Sequence, residues 1–203
     1  MRYLFWSGPI VFLVAEILLP GGSSDIGKRI EIIQTHTARW EWGHLLIIVA
    51  LFLMLPWLAQ IYREARKGNP PLAFIGVFTT AIAIIANYAI AVLQLLSLEI
   101  VQELAETAPA VLGLINRPNL MVTVFLPFLG FLIGFVLLAT SLWQSRQRWI
   151  AGSLLLSGLF ISLAGLLQSK PLFVLAALGL VVSSAFISQS AESAPAQKHY
   201  AKT

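Results

Sequence analysis

Residues 68–98 read GNPPLAFIGVFTTAIAIIANYAIAVLQLLSL, with no Asp, Glu, Lys or Arg between Lys67 and Glu99. A helix needs roughly 20 largely apolar residues to cross a bilayer. This run is longer, and its apolar residues do not alternate as those of a barrel strand would. It therefore reads as a transmembrane helix over 71–96.

Similar charge-free runs fall at 42–62, 118–145, 149–169 and 171–191, and Tyr3–Leu19 is interrupted only by Glu16. The expected fold is all-α: a polytopic membrane bundle with spans at 3–19, 42–62, 71–96, 119–143, 150–168 and 171–189. Residues 1–190 form one bundle, and the small, polar tail 191–203 is expected to lack structure. The first run has an alternative reading as a cleaved signal peptide behind Arg2. Glu16 inside the apolar stretch, and Pro20-Gly21-Gly22-Ser23-Ser24 in place of an A-x-A-like site, argue against it.

Composition agrees. The chain is 58% hydrophobic and 11% charged, where soluble domains carry about 25% charged residues. A water-soluble fold of this size has too little polar cover for so much apolar surface, whereas lipid needs none. The absence of cysteine excludes disulfides, thiolate zinc sites, iron–sulfur clusters and thiol redox chemistry. The net charge of +4 is small and spread over loops. It reads as an orientation signal, and no nucleic-acid partner is expected.

With six spans, Arg2, Arg63, Arg66, Lys67, Arg146, Arg148, Lys198 and Lys202 share one side, which is eight of the 13 Lys and Arg residues. Lys28, Arg29, Arg39, Arg117 and Lys170 share the other. The short connections 62–69 and 144–149 are clearly basic. Basic loops stay on the cytoplasmic side, so both termini are expected there, in the cell (plasma) membrane. Trp6, Trp57, Tyr62, Trp143 and Trp149 then fall near that interface, and Trp40 and Trp42 near the other.

Two outer connections are long enough for structure. In 22–41, Ser23, Ser24 and Asp25 are N-cap candidates. Ile26, Ile30, Ile33, Thr37 and Trp40 follow at helical spacing, with Lys28, Arg29, Glu31 and Arg39 off that stripe. This segment is a helix covering the bundle top, one lying on the outer surface, or an extension of the second span. In 97–118, Glu99, Glu103 and Glu106 share one face of a helix expected to continue the third span as far as Pro109. They are a solvated face or partners for Lys28, Arg29 or Arg117.

Small residues let membrane helices approach closely. Thr80, Ala83, Asn87, Ala91 and Gln94 form one stripe, with Ile82 and Ile85 pointing elsewhere. Gly130 and Gly134 make a G-x-x-x-G pair, which faces either the bundle interior or a second copy in a homo-oligomer. Ala151, Gly158, Ser162 and Gly165, then Gly179 and Ser183, continue the pattern. Pro9, Pro56 and Pro127 fall within spans, where proline bends a helix.

Polar side chains at membrane depth are costly and mark sites. The candidates are Glu16, His44, Asn87, Gln94 and Gln168. On this topology four lie towards the outer face, with Asn87 near the midplane below them. The pattern suggests a polar pocket open to the outside, with Glu16, His44, Asn87 and Gln94 lining it. Side chains reaching to interfacial water would give the same pattern without a pocket.

Glu41 and His44 form an E-x-x-H pair, the i, i+3 spacing of di-iron carboxylate bundles. With His36 they are the candidate ligands for a divalent metal. His36 and His44 are about two turns apart on a continuous helix and cannot clamp one haem; a single axial His44 is compatible with haem.

There is no G-x-S-x-G, H-E-x-x-H, Walker or G-x-G-x-x-G motif, so a non-enzymatic role is preferred. The only Asp is Asp25. A proton-driven transporter would have only Glu16 and His44 to work with. Three readings follow. The first is a protein that binds or transports a small lipid-like or weakly polar ligand. The second is a structural or assembly subunit docking partner membrane proteins. The third is a metal- or haem-dependent membrane oxidoreductase.

Overall fold

The structure, a computed structural model, describes residues 4–23, 25–115 and 118–192. The readings placed on Arg2, Ser24, Arg117, Lys198, Lys202 and the tail beyond Glu192 lie outside the described residues. Among those described there is no strand. The helices are α1 (Leu4–Leu18), α2 (Ile26–Thr35), α3 (Thr37–Ala65), α4 (Pro70–Glu103), α5 (Ala108–Ile115), α6 (Pro118–Gln144), α7 (Arg148–Leu167) and α8 (Lys170–Glu192).

Helices α3, α4, α6, α7 and α8 are long and apolar enough to cross a membrane. Their outward side chains are apolar, as lipid requires: Phe74, Phe78 and Ile82 are exposed, and Ile85 is 67% exposed. At 15 residues, α1 is about 22 Å long, short of the roughly 30 Å hydrocarbon core.

Chain neighbours are also neighbours in space. α1 packs on α3, α3 on α4, α4 on α6, α6 on α7, α7 on α8, and α8 returns to α1. The result is a closed ring of six helices, with α3 also touching α6 across the middle. Its core is aliphatic and aromatic, with Trp57, Phe135, Leu138 and Leu154 fully buried.

Close approach is made by small residues, as expected. The G-x-x-x-G pair faces α4 within the chain. A Cβ on Gly130 would meet Ala83 Cβ at 3.1 Å, and one on Gly134 would collide with the Thr80 hydroxyl and come within 3.0 Å of Gly76 O. This pair therefore seals the bundle interior and is not a homodimer seam. Gly158 lies against Phe135, and Gly179 against Ser157.

One end of the ring carries the basic connections. The Ser141 hydroxyl lies 2.6 Å from Ala65 O and 2.9 Å from Asn69 O, and accepts from Asn69 N–H at 2.9 Å. It thus ties 65–69 to the end of α6. The Asn69 side chain caps α4 by accepting from Leu72 N–H, and the prolines at 70 and 71 occupy the first turn, where no N–H is needed. Trp143 and Trp149 are exposed at this end, as expected, with Arg148 over the Trp143 ring at 5.7 Å. Trp57 is the buried one of this set. It is 0% exposed and packs edge-on against Phe135, because α3 turns this face inward onto α6.

The opposite end carries a cap with its own core of Ile33, Trp40, Leu98, Val101, Ala108 and Leu112. Asp25 is the N-cap of α2, accepting from Lys28 N–H at 2.8 Å. The chain breaks at His36, which closes α2 and precedes α3. So α2 is a separate helix on α3, α4 and α5 that covers the bundle top, and not an extension of the second span. Trp40 is buried in this cap, and its Nε1 donates to Gln94 O at 2.9 Å. The third span stops earlier than expected. α4 ends at Glu103 with Leu104 as its cap, and Pro109 sits in the first turn of α5, where proline is tolerated. Glu99, Glu103 and Glu106 are exposed, and none pairs with a described cation.

Candidate functional site

Between cap and ring, at the end away from the basic connections, lies a cavity of about 240 Å³. That is many times the space one water needs and close to the smaller ligand pockets. Its polar wall contains Glu16, His44, Asn87 and Gln94, the four residues the sequence singled out, together with Gln168. They come from α1, α3, α4 and the α7–α8 turn, which the ring brings to one level.

The rim is built by the ends of helices. Lys170, at the start of α8, donates to Ile17 O at 3.1 Å and Leu19 O at 2.5 Å, and Arg39 Nε donates to Leu18 O at 2.9 Å. These cations satisfy the carbonyls that α1 leaves open at its C-terminus. Arg29 reaches in from α2, donating to Gln94 Oε1 at 2.7 Å and Ser97 Oγ at 3.1 Å. Its burial in the wall pulls the guanidinium below its ordinary value, and hydrogen bonds hold the charge in place. The loop Pro20–Ser23 completes the rim.

Below the rim the wall changes character. Asn87, two turns below Gln94 along α4, donates Nδ2–H to Ala83 O at 3.1 Å. His44, one turn below Trp40 along α3, places Nδ1 2.7 Å from Trp40 O. A carbonyl only accepts, so Nδ1 carries the hydrogen, and in the neutral ring Nε2 is an acceptor. Glu16 is 6% exposed and has no hydrogen-bond partner among the described residues. Lys170 lines the same cavity. Deeper still, Phe12, Leu51, Met54, Phe131 and Ile161 form an apolar floor.

The metal candidates are not assembled. His36 and Glu41 are exposed and outside the cavity wall, while His44 is buried in it. The break at His36 leaves it off the helix that carries Glu41 and His44, those two differ in burial, and no group of three His, Cys, Asp or Glu able to hold a metal exists among the described residues. Sequence reasoning missed Arg29, Trp40 and Lys170 as lining residues. All three sit in or beside connections, where a cation or tryptophan reads as solvent- or interface-facing until the cap is known to fold over the bundle.

No known protein family matches this chain, and neither a curated protein nor a solved structure is significantly similar to it.

Proposed function

We propose that this is a multi-pass membrane protein that binds or carries a small lipid-like or weakly polar ligand in the cavity beneath its cap. The observation that carries this reading is the cavity wall. Polar groups from four separate parts of the chain meet in one space above an apolar floor. Buried polar groups are costly without partners, and a bound ligand is what supplies them.

In this reading α1 is the sixth span, and the basic connections lie in the cytoplasm. The cavity then opens outward from the cell membrane. The protein's setting is lipid, and no catalytic group is needed for its activity.

Filling the cavity tests the reading. Ala91 is buried on α4 and lines the cavity. Ala91→Phe is expected to lower the amount of co-purifying ligand, read by mass spectrometry of the extracted small molecules, by about tenfold or more. Its thermal midpoint should hold or rise, since filling a cavity contributes about 0.5–2 kcal/mol. Undiminished ligand in a well-folded Ala91→Phe protein would remove the cavity from consideration.

A further inference from the structure

The hydrogen-bonding groups of the cavity divide into those the protein engages and those it leaves over. At the rim, Lys170 is directed at Ile17 O and Leu19 O, Arg29 at Gln94 Oε1 and Ser97 Oγ, and Trp40 at Gln94 O. The cations and the indole N–H there are held by the wall. One layer down, the remainder is mainly acceptors. Asn87 uses one of its two amide N–H groups on Ala83 O, which leaves Oδ1 and a second N–H. His44 uses Nδ1–H on Trp40 O, which leaves Nε2. The Glu16 carboxyl, buried, has no donor among the described residues. Carboxyl oxygen, amide oxygen and unprotonated imidazole nitrogen all accept, and they face the open cavity, where an occupant can reach them.

Resting on the reading that this cavity binds a ligand, we propose that the occupant is an uncharged amphiphile. Its head carries a hydrogen-bond donor, a hydroxyl or an N–H, towards Glu16, His44 and Asn87, and its apolar body lies on the floor of Phe12, Leu51, Met54 and Phe131. Charge decides against the alternatives. An ammonium head would enter between the Arg29 and Lys170 cations. A carboxylate or phosphate head brings only acceptors to a layer whose leftover groups are mainly acceptors, and the two cations already have acceptors in the wall. A neutral donor incurs neither penalty.

The experiment uses the full chain in an amine-oxide detergent, which has no donor of its own. Four probes of equal chain length are offered: 1-decanol, decyl methyl ether, decanoate and decylammonium. Retained probe is counted by native mass spectrometry. Decanol is expected to be held one per chain and on the order of tenfold better than the ether, the scale of one hydrogen bond to a buried polar group. Glu16→Leu and Asn87→Leu should bring decanol down to the level of the ether, while Glu16→Gln, which keeps an acceptor oxygen, should retain it. Equal retention of decanol and ether, preference for either charged probe, or loss in Glu16→Gln equal to that in Glu16→Leu would overturn the donor-head assignment and leave the cavity reading standing. Retention of none of the four would overturn both. If the leucine variants do not fold, the probe series on the unaltered protein still decides the matter.

Discussion

Gly134→Val is expected to destabilise the protein by about 3 kcal/mol, the upper part of the range for forcing extra atoms into a close-packed core. The reason is local and rigid. A Cβ at 134 collides with the Thr80 hydroxyl and lies 3.0 Å from both Gly76 O and Thr80 N. Two of those three neighbours are backbone, so no rotamer change relieves them. α4 and α6 must separate, and lipid offers no hydrophobic force to close them again. Gly152, on α7, is the control, because a Cβ there meets nothing within 4 Å. Gly152→Ala should be neutral or gain about 0.5–1 kcal/mol from helix propensity. Unfolding midpoints of both variants in one detergent decide the point. Equal stability of the two would mean that α4 and α6 do not meet through the glycine pair.

Glu16→Leu should do two opposite things at once. The buried carboxyl has no hydrogen-bond partner among the described residues, and an unsatisfied buried polar group costs about 1–3 kcal/mol. Replacing it by an apolar side chain of similar length is therefore expected to raise stability by about that amount. The same change removes an acceptor from the cavity and should cut ligand retention about tenfold. Stability and function pull apart at binding sites in this way. A rise in stability with ligand fully retained would take Glu16 out of the site. A fall in stability would show that the carboxyl has a structural partner.

What was legible in the sequence follows from what lipid demands. A run such as 68–98 has no reading but a helix, and five of the expected spans are long apolar helices in the structure. Polar residues at depth were legible for the same reason: Glu16 and Asn87 stand out against an apolar background, and both line the cavity. The G-x-x-x-G pair was ambiguous because small residues serve contacts within a chain and between chains equally. Only the position of Thr80 and Gly76 against Gly134 resolves it.

The cap was the least legible part, since it is not built from long apolar runs and the usual soluble rules apply to it. Leu104 ends α4 without a proline or glycine to announce it. Arg29 lies off the apolar stripe of α2 and reads as solvated, yet α4 presents Gln94 and Ser97 to hold it. Trp40 and Trp57 both read as interface residues, because periodicity gives a residue's depth but not which neighbour its helix turns it towards.

The most direct test of the cavity as a binding site is native mass spectrometry of the intact protein released from a mild detergent. One spectrum reports both the number of chains and any mass they hold. A single discrete adduct per chain, in the mass range of a small amphiphile, is the expected result. A bare chain or a bare oligomer, with no adduct under conditions gentle enough to preserve one, would contradict the account and favour an assembly subunit whose polar layer holds nothing.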